Sequence, residues 1–196
     1  NTPNKSGEFV DPYKFVRELF NEAPDNAIFI TDAGANLTWV MHGYKIKKGQ
    51  RLISAWGNSP MGYSFPAGIG AYLADKSRPV FALIGDGGLQ MNIQELQTVV
   101  GNNINLKLII FNNRCYGNII IGARKEFNGR IHGNDSTSGY TVPDFIKISQ
   151  AYGLKTEKID NDSDLTKKIQ CIINTENSMV VDINIDPSEE HVELNI

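Results

Sequence analysis

The amino-acid sequence predicts an α/β protein with a doubly wound, mainly six-stranded parallel sheet and helices on both of its faces. Short apolar runs alternate with helical patterns along the 196 residues, which is typical of strand–helix–strand units. The runs are almost continuously aliphatic or β-branched, as in strands buried on both faces. Turn residues end each run. The six predicted strands are 27–31, 51–54, 79–84, 106–111, 154–158 and 179–185.

The helices are predicted from capping residues and from apolar spacing. The first begins at Asp11-Pro12, because Asp is a good N-cap and proline is favoured at the first helical position. A later helix is predicted to start at Asn92, with Glu95 in an approximate capping box and its N-terminus toward the end of the third strand. A role for Glu95 as an acid or a base is the alternative. The other predicted helices are about 66–74, 143–152 and 164–174, and 114–142 is predicted to be a long polar stretch.

Composition indicates one domain over residues 1–196, in which 1–8 form a polar linker. The net charge is −3 with interspersed signs, so no basic patch indicates nucleic acid or an anionic membrane as a partner. No apolar run approaches the roughly 20 residues that a membrane-spanning helix needs. Cys115 and Cys171 are too few for a disulfide scaffold, which favours a reduced, cytoplasmic protein.

Glycines and polar side chains follow the third and fourth strands directly. Gly85-Asp86-Gly87-Gly88 ends one strand and Asn112-Asn113 ends the next. Ligands of parallel sheets bind beyond the carboxyl ends of the strands, where these residues are expected to meet. Asp and Asn oxygens are hard ligands suited to Mg²⁺, and glycine lets backbone N–H groups approach an anion closely. The pattern therefore predicts a magnesium-diphosphate site, with two tight turns at the ends of core strands as the alternative.

The Gly-Asp-Gly triplet, the spacer of 24 residues and the Asn-Asn pair together resemble the signature of enzymes that depend on thiamine diphosphate. The resemblance implies the thiamine diphosphate-binding fold, with thiamine diphosphate and Mg²⁺ as cofactors. It implies that Asp86, the side chain of Asn113 and the main-chain carbonyl of Cys115 hold the metal. The cofactor-binding residues that it implies are Gly34, Ala35, Asn36, Ser59, Met61, Gly85, Asp86, Gly87, Gly88, Asn113, Cys115, Tyr116, Gly117 and Asn118.

The loop after the first predicted strand is similar to that of acetolactate synthases, with one departure. Those enzymes carry Asp-Val-Gly-Gln-His followed by a Trp, and the Gly-Gln-His part contacts the diphosphate. This chain has Gly34-Ala35-Asn36 and keeps Trp39, so Ala35 and Asn36 stand where the family has the Gln and the His. The Asn36 amide can still donate an N–H. From the residues alone, an ordinary strand-to-helix turn is the simpler interpretation.

Two further positions bear on the cofactor and the substrate. Met61 lies 25 residues before Asp86, where the family has a bulky apolar residue that bends the cofactor so that its 4′-amino group meets thiazolium C2. A flexible side chain that fills a gap is the alternative. Asn118 stands where acetolactate synthases usually have Met. It indicates either a different or larger acceptor substrate or a residue that faces solvent.

The resemblance covers nearly the whole chain, but only the C-terminal, diphosphate-binding third of an acetolactate synthase-like large subunit. It implies a carboligase that decarboxylates pyruvate or a related 2-oxo acid and transfers the two-carbon unit to an acceptor. The activating glutamate is expected on a separate pyrimidine-binding domain, in the same polypeptide or a partner chain. This chain is therefore expected to carry no catalytic residue, to be inactive alone and to belong to a homo-oligomer. A simple 2-oxo acid decarboxylase and a non-catalytic assembly domain are the alternatives.

Overall fold

The computed structural model of the chain describes residues 7–189. The six strands of this part are β1 (Ile28–Thr31), β2 (Arg51–Ile53), β3 (Val80–Gly85), β4 (Lys107–Asn112), β5 (Lys155–Ile159) and β6 (Met179–Asn184). The helices are α1 (Pro12–Glu22), α2 (Ala35–Gly43), α3 (Ser64–Ala74), α4 (Asp86–Met91), α5 (Glu95–Gly101), α6 (Gly117–Glu126), α7 (Phe145–Ala151) and α8 (Leu165–Asn174). All six predicted strands are present, each within one or two residues of its predicted bounds. Most of the predicted linker 1–8 lies outside the described residues.

The strands form one sheet in the order β2-β1-β3-β4-β6-β5, and every neighbouring pair is parallel. The chain moves outward from β1 to β2 in one direction and from β3 to β4 in the other, so β1 and β3 are the neighbours at which the winding reverses. Ligands of doubly wound sheets bind at the carboxyl ends of the strands beside such a reversal. The predicted fold class is confirmed.

Two apolar clusters cover the two faces of the sheet. On one face α1, α2 and α8 pack on alternate strand residues such as Phe81 and Leu83. On the other face α3, α5 and α7 pack on the intervening residues, such as Ala82 and Ile84. Because successive side chains of a strand point to opposite faces, a fully apolar strand is needed to fill both clusters. This explains why the strands gave continuous apolar runs in the sequence.

The start of α1 is as predicted. Asp11 is its N-cap, and the Asp11 carboxylate accepts hydrogen bonds from the backbone N–H groups of Tyr13, at 2.9 Å, and Lys14, at 3.1 Å. These bonds satisfy two of the donors that a helix N-terminus leaves free. Phe15 and Val16 of the same helix are fully buried against the sheet.

The helix predicted to start at Asn92 is present as α5, but its predicted start and its position at the end of β3 were wrong. Helix α4 begins at Asp86, directly after β3, and α5 begins only at Glu95. No side chain caps α5, and the Asn92 amide donates instead to the Gly62 carbonyl at 2.9 Å, so Glu95 does not complete a capping box. Gly87 and Gly88 are poor helix formers, and burial of Leu89 in the core stabilises this short helix instead. The helix end that lies at the end of β3 is therefore that of α4.

The polar stretch predicted over 114–142 contains a helix, α6, in its first half. Its sequence includes two glycines and three isoleucines, which are weak helix formers, so propensity gave little indication of it. Ile120 and Ala123, spaced as helical neighbours, are its buried residues. The residues on either side of α6, 113–116 and 127–144, are irregular. Within residues 7–189, no helix is both long and apolar enough to cross a membrane.

Candidate magnesium and diphosphate site

A cleft of about 280 Å³ opens at the carboxyl ends of β1, β3 and β4, beside the reversal of the winding. All fourteen residues predicted to contact the cofactor line it. They are Gly34, Ala35, Asn36, Ser59, Met61, Gly85, Asp86, Gly87, Gly88, Asn113, Cys115, Tyr116, Gly117 and Asn118. The other lining residues are Ala33, Trp39, Phe111 and Ile119. The fold thus brings the predicted residues together, whereas their contacts with a cofactor stay predictions.

Asp86 is the charged side chain of the cleft and is only 2% exposed. Its Oδ1 accepts two hydrogen bonds, from the backbone N–H of Gly87 at 2.6 Å and from the hydroxyl of Tyr140 at 3.2 Å. Its Oδ2 is buried and has no hydrogen-bond partner within residues 7–189. A buried carboxylate oxygen without a partner is costly, and a metal ion is one of the groups that can satisfy it.

Asn113 and Cys115 follow β4 on the opposite wall, and both are buried. The Asn113 Oδ1 lies 3.4 Å from the backbone nitrogen of Cys115, which donates to it. Between them Arg114 has a left-handed backbone, with φ of +55°. Its guanidinium donates to Asn184 Oδ1 at 2.7 Å and to the Ile185 carbonyl at 3.1 Å. Through these two bonds, Arg114 anchors the turn that contains Asn113 and Cys115 to the residues at the end of β6.

Burial and, to a smaller extent, the nearby Asp86 carboxylate together raise the pKa of the Cys115 thiol to about 12. The Sγ atom lies 3.6 Å from the Pro187 carbonyl oxygen, toward which the thiol donates. A neutral thiol with this partner is a poor metal ligand, since the thiolate is the binding form. This geometry agrees with a role for the Cys115 main chain rather than its sulfur.

Glycine is required at two positions of α4 because neighbouring side chains approach the backbone. A Cβ atom on Gly87 would overlap the ring of Tyr116, and a Cβ on Gly88 would overlap the carboxylate of Asp32. The first turn of α4 lines the cleft with no side chain from either position. With glycine at both positions, the wall of the cleft at this turn is formed by backbone atoms near the positive end of the helix.

Asp32 connects the end of β1 to the segment that carries Met61. Its Oδ2 accepts from the backbone N–H of Gly62 at 2.9 Å, and the Gly62 carbonyl accepts from the Asn92 amide at 2.9 Å. Burial raises the pKa of the Asp32 carboxyl, and its hydrogen bond to Gly62 offsets part of that rise. Both the backbone N–H and the carbonyl of Gly62 are therefore hydrogen-bonded to side chains. Its neighbour Met61 lies at the mouth of the cleft with 42% of its surface exposed.

The Asn36 amide faces the protein. Its Nδ2 lies 3.3 Å from Thr31 Oγ1 and 3.4 Å from the carbonyls of Asp32 and Leu83. The opposite orientation of the amide, which satisfies more partners, directs Nδ2 at the Ala33 carbonyl. In both orientations the nitrogen contacts protein oxygens. Donation of an N–H from Asn36 to a diphosphate stays a prediction.

Comparison with known proteins bears on the nature of this cleft. Residues 32–183 match the model of the family described as thiamine pyrophosphate enzyme, C-terminal TPP binding domain. The chain belongs to this family. The match begins at Asp32, at the end of β1, and ends within β6, so it includes every residue of the cleft.

Among curated proteins, this thiamine pyrophosphate-binding domain is similar to large subunits of acetolactate synthases. It is 34% identical over 184 residues to a probable acetolactate synthase large subunit of Methanococcus aeolicus, covering 91% of this chain and 30% of that protein. It is 32% identical to the acetolactate synthase large subunit of Lactococcus lactis subsp. lactis, covering 92% and 31%. It is 31% identical to the acetolactate synthase isozyme 1 large subunit of Escherichia coli, covering 91% and 31%. The chain thus spans about three tenths of the length of these relatives.

The residues of the cleft fit the cofactor that the family name states. A buried carboxylate oxygen without a partner on Asp86 and the amide oxygen of Asn113, both in the lining of the cleft, are hard oxygen donors of the kind that Mg²⁺ prefers. Within residues 7–189, no group of three or more His, Cys, Asp or Glu side chains could hold a metal.

The structure adds two residues that we did not predict for the site. Tyr140 contacts Asp86, and Asp32 contacts the segment of Met61. Asp32 could have been found, because it is the first polar residue after a buried strand, as Asp86 is. Tyr140 lies in an irregular segment without periodicity, so nothing in the sequence pointed to it.

The metal-free site is expected to weaken the fold above pH 6. Burial raises the pKa of Asp86 to about 6 from its ordinary value of 3.8, although the backbone N–H groups of Gly87 and Arg114 and the Tyr140 hydroxyl, which favour the ionised form, offset part of the rise. The native state then binds a proton that the unfolded state has lost between these two pH values, so the stability from this group is lost as pH rises through 6. We compare the free energy of unfolding of Asp86→Asn with that of the parent in EDTA. The difference, variant minus parent, should be larger at pH 7.5 than at pH 4, by on the order of 2–3 kcal/mol.

Urea unfolding of both proteins at the two pH values measures this difference. Because other buried carboxyls titrate in both proteins alike, the comparison isolates Asp86. An equal stability difference at pH 4 and at pH 7.5 would contradict the buried, partnerless state of this carboxyl.

Replacing the Cys115 thiol is expected to leave metal and cofactor binding nearly intact. Cys115→Ser keeps the main-chain carbonyl and a side chain of similar size, and the thiol is neutral and turned toward Pro187. Titration of thiamine diphosphate at saturating Mg²⁺ should give nearly the parent affinity. A large loss of affinity in the variant, together with a preference for Cd²⁺ or Zn²⁺ over Mg²⁺ in the parent that the variant lacks, would instead identify the sulfur as a ligand.

Proposed function

We propose that this chain is the Mg²⁺- and thiamine diphosphate-binding domain of a carboligase similar to acetolactate synthases. The observation that carries the proposal is the partnerless Oδ2 of Asp86, buried in a glycine-walled cleft at the carboxyl edge of the sheet. The family match and the acetolactate synthase relatives support the same assignment.

In this proposal the chain binds and orients the diphosphate end of the cofactor. Asp86, Asn113 and the Cys115 carbonyl would hold Mg²⁺, which would supply positive charge against the diphosphate. The first turn of α4 stabilises the remaining negative charge, since a helix N-terminus favours an anion by roughly 0.3–2 kcal/mol. Met61, held through Gly62 by Asp32, supports the bent form of the cofactor from the mouth of the cleft.

The pyrimidine end of the cofactor is assigned to a second domain. The cleft, at about 280 Å³, is near the lower limit of small-molecule sites and suits part of a large cofactor. Its rim carries exposed apolar side chains: Met61 is 42% exposed and Ile119 57%, and Met91, 50% exposed, lies beside Gly62. Such a rim favours a partner surface. We therefore assign the catalytic glutamate to a pyrimidine-binding domain of the same polypeptide or of a partner chain, within a homo-oligomer.

When bound, thiamine diphosphate supplies the electron sink for decarboxylation of a 2-oxo acid such as pyruvate. A carboligase then transfers the two-carbon unit to an acceptor, whereas a simple decarboxylase protonates it. Asn118 lines the cleft and is exposed, so it is available to contact an acceptor. The test is product analysis with the pyrimidine domain present. Acetolactate or a related carboligation product supports the proposal, and acetaldehyde alone indicates a decarboxylase.

A non-catalytic assembly domain is the alternative of another class. Such a domain has no need for a buried carboxylate without a partner, because an apolar residue at that position would be more stable. Thiamine diphosphate binding that depends on Mg²⁺ separates the two. We also propose a cytoplasmic location, since Cys115 and Cys171 are both free thiols.

A further inference from the structure

Tyr140 lies in the irregular segment between α6 and α7, far in sequence from the glycine-rich turn. Its side chain is buried, and its hydroxyl donates to Asp86 Oδ1 at 3.2 Å. A phenol hydroxyl donates one hydrogen bond, and here its acceptor is a carboxylate oxygen. Tyr140 is not among the residues that the sequence resemblance implies for the diphosphate site.

The position of this hydroxyl is set by a compact turn. The Tyr140 backbone N–H donates to the Asp135 carbonyl at 2.8 Å, and Asp135 Oδ1 accepts from the backbone N–H of Ser138 at 2.9 Å. The Tyr140 ring packs on the Tyr116 ring, with centroids 4.4 Å apart and planes inclined by 49°. Tyr116 is itself fixed by a bond of 2.8 Å from its backbone N–H to the Asn134 carbonyl. The hydroxyl is therefore held by the loop on one side and by an aromatic neighbour on the other.

In this arrangement the two oxygens of the Asp86 carboxylate have different surroundings. Gly87 and Tyr140 both donate to Oδ1, while Oδ2 has no hydrogen-bond partner within residues 7–189. We infer that Tyr140 is a positioning residue for the metal: its hydroxyl holds the Asp86 carboxylate in the rotamer that offers Oδ2 to Mg²⁺. The inference rests on the proposed function of the cleft. Groups that orient a metal ligand in this way typically change metal affinity by about 10–100-fold when they are removed.

The geometry argues against the opposite role, in which the hydroxyl occupies the place of the metal. Asp86 lines the cleft, but Tyr140 does not belong to its wall among the described residues. The hydroxyl also binds the oxygen that Gly87 already occupies, not the one without a partner. It thus approaches the carboxylate from behind, as seen from the cleft.

Binding of Mn²⁺ together with thiamine diphosphate tests the inference without an activity assay. Electron paramagnetic resonance counts free Mn²⁺ and gives the dissociation constant, and the spectrum of bound Mn²⁺ reports the symmetry of its ligands. The variant is Tyr140→Phe, which keeps the ring against Tyr116 and removes only the hydroxyl. The matched control is Tyr152→Phe, a half-buried tyrosine that packs against the apolar cluster beneath α3, α5 and α7 and does not line the cleft. Thermal unfolding in EDTA checks that both variants fold as the parent does.

The expected result is an affinity for Mn²⁺ at least tenfold weaker in Tyr140→Phe, with a changed spectrum of the bound ion, and a parent-like control. Parent-like affinity and spectrum in Tyr140→Phe would overturn the inference and leave the proposed function standing. Tighter binding would overturn it too, because the hydroxyl would then obstruct the metal. If the parent itself binds no Mn²⁺ with thiamine diphosphate, the proposed function fails and the inference fails with it.

Discussion

Asp86→Ala is expected to abolish Mg²⁺-dependent binding of thiamine diphosphate while the chain keeps its fold. The substitution removes the one charged side chain of the cleft that can contact the metal directly. Loss of a direct ligand should exceed the roughly 10–100-fold effect of losing a group that only orients one. The fold should persist, because the change also removes a buried carboxylate oxygen without a partner. Calorimetric titration at fixed Mg²⁺ measures the binding, and circular dichroism measures the fold.

The chain offers a matched control for this prediction. Asp182 is also a buried carboxylate, near the carboxyl end of β6, and its Oδ2 accepts from the Asn112 amide at 3.3 Å. It lies outside the cleft. Asp86→Asn and Asp182→Asn both neutralise a buried carboxyl with little change in shape, yet only the former should lose binding. Parent-like binding by Asp86→Ala, or an equal loss in both Asn variants, would contradict the metal assignment.

The second large effect is the absence of turnover from this chain alone. With saturating Mg²⁺ and thiamine diphosphate, it should release no carbon dioxide from pyruvate above the rate of the free cofactor. Proton removal from C2 of the cofactor needs the pyrimidine ring activated by a carboxylate, and proton-transfer assistance of this kind is worth roughly 10²–10⁴ in rate. In this account Asp86 is assigned to the metal at the diphosphate end, and Asp32 accepts from Gly62 beside Met61, so neither carboxylate is assigned to the pyrimidine ring.

Carbon dioxide release is measured with the chain alone and with a pyrimidine-binding domain supplied. A pyrimidine domain whose activating glutamate is replaced by glutamine is the control, and it should leave the mixture inactive. Robust turnover by the chain alone would show that the activating group lies within these residues. It would contradict the proposal that a second domain supplies the activating glutamate.

The sheet and the cleft were predictable because both depend on local sequence signals. A strand buried on both faces must be continuously apolar, and it must end where polar or glycine residues follow. Asp86 and Asn113 stand directly at such ends, so the parallel sheet brings them to one edge. The resemblance to thiamine diphosphate enzymes added the identities of the contacts, which geometry alone does not give.

What the sequence did not reveal depends on contacts between distant segments. Helix α4 contains Gly87 and Gly88, which disfavour helix, and burial of Leu89 in the core compensates for this. The bond from Tyr140 to Asp86 joins residues 54 positions apart through an irregular segment. No periodicity or capping rule specifies such a contact, because it follows from how the turn between Asn134 and Tyr140 packs on Tyr116.

The most direct test of the magnesium-diphosphate site is a titration of the parent chain with thiamine diphosphate, carried out once in Mg²⁺ and once in EDTA. The same two titrations are then made with thiamine, which lacks the phosphates. Because this chain is proposed to hold the diphosphate end only, we expect weak binding that requires both Mg²⁺ and the phosphates. Inorganic diphosphate should compete for it. Binding that persists in EDTA, or equal binding of thiamine, would contradict the account.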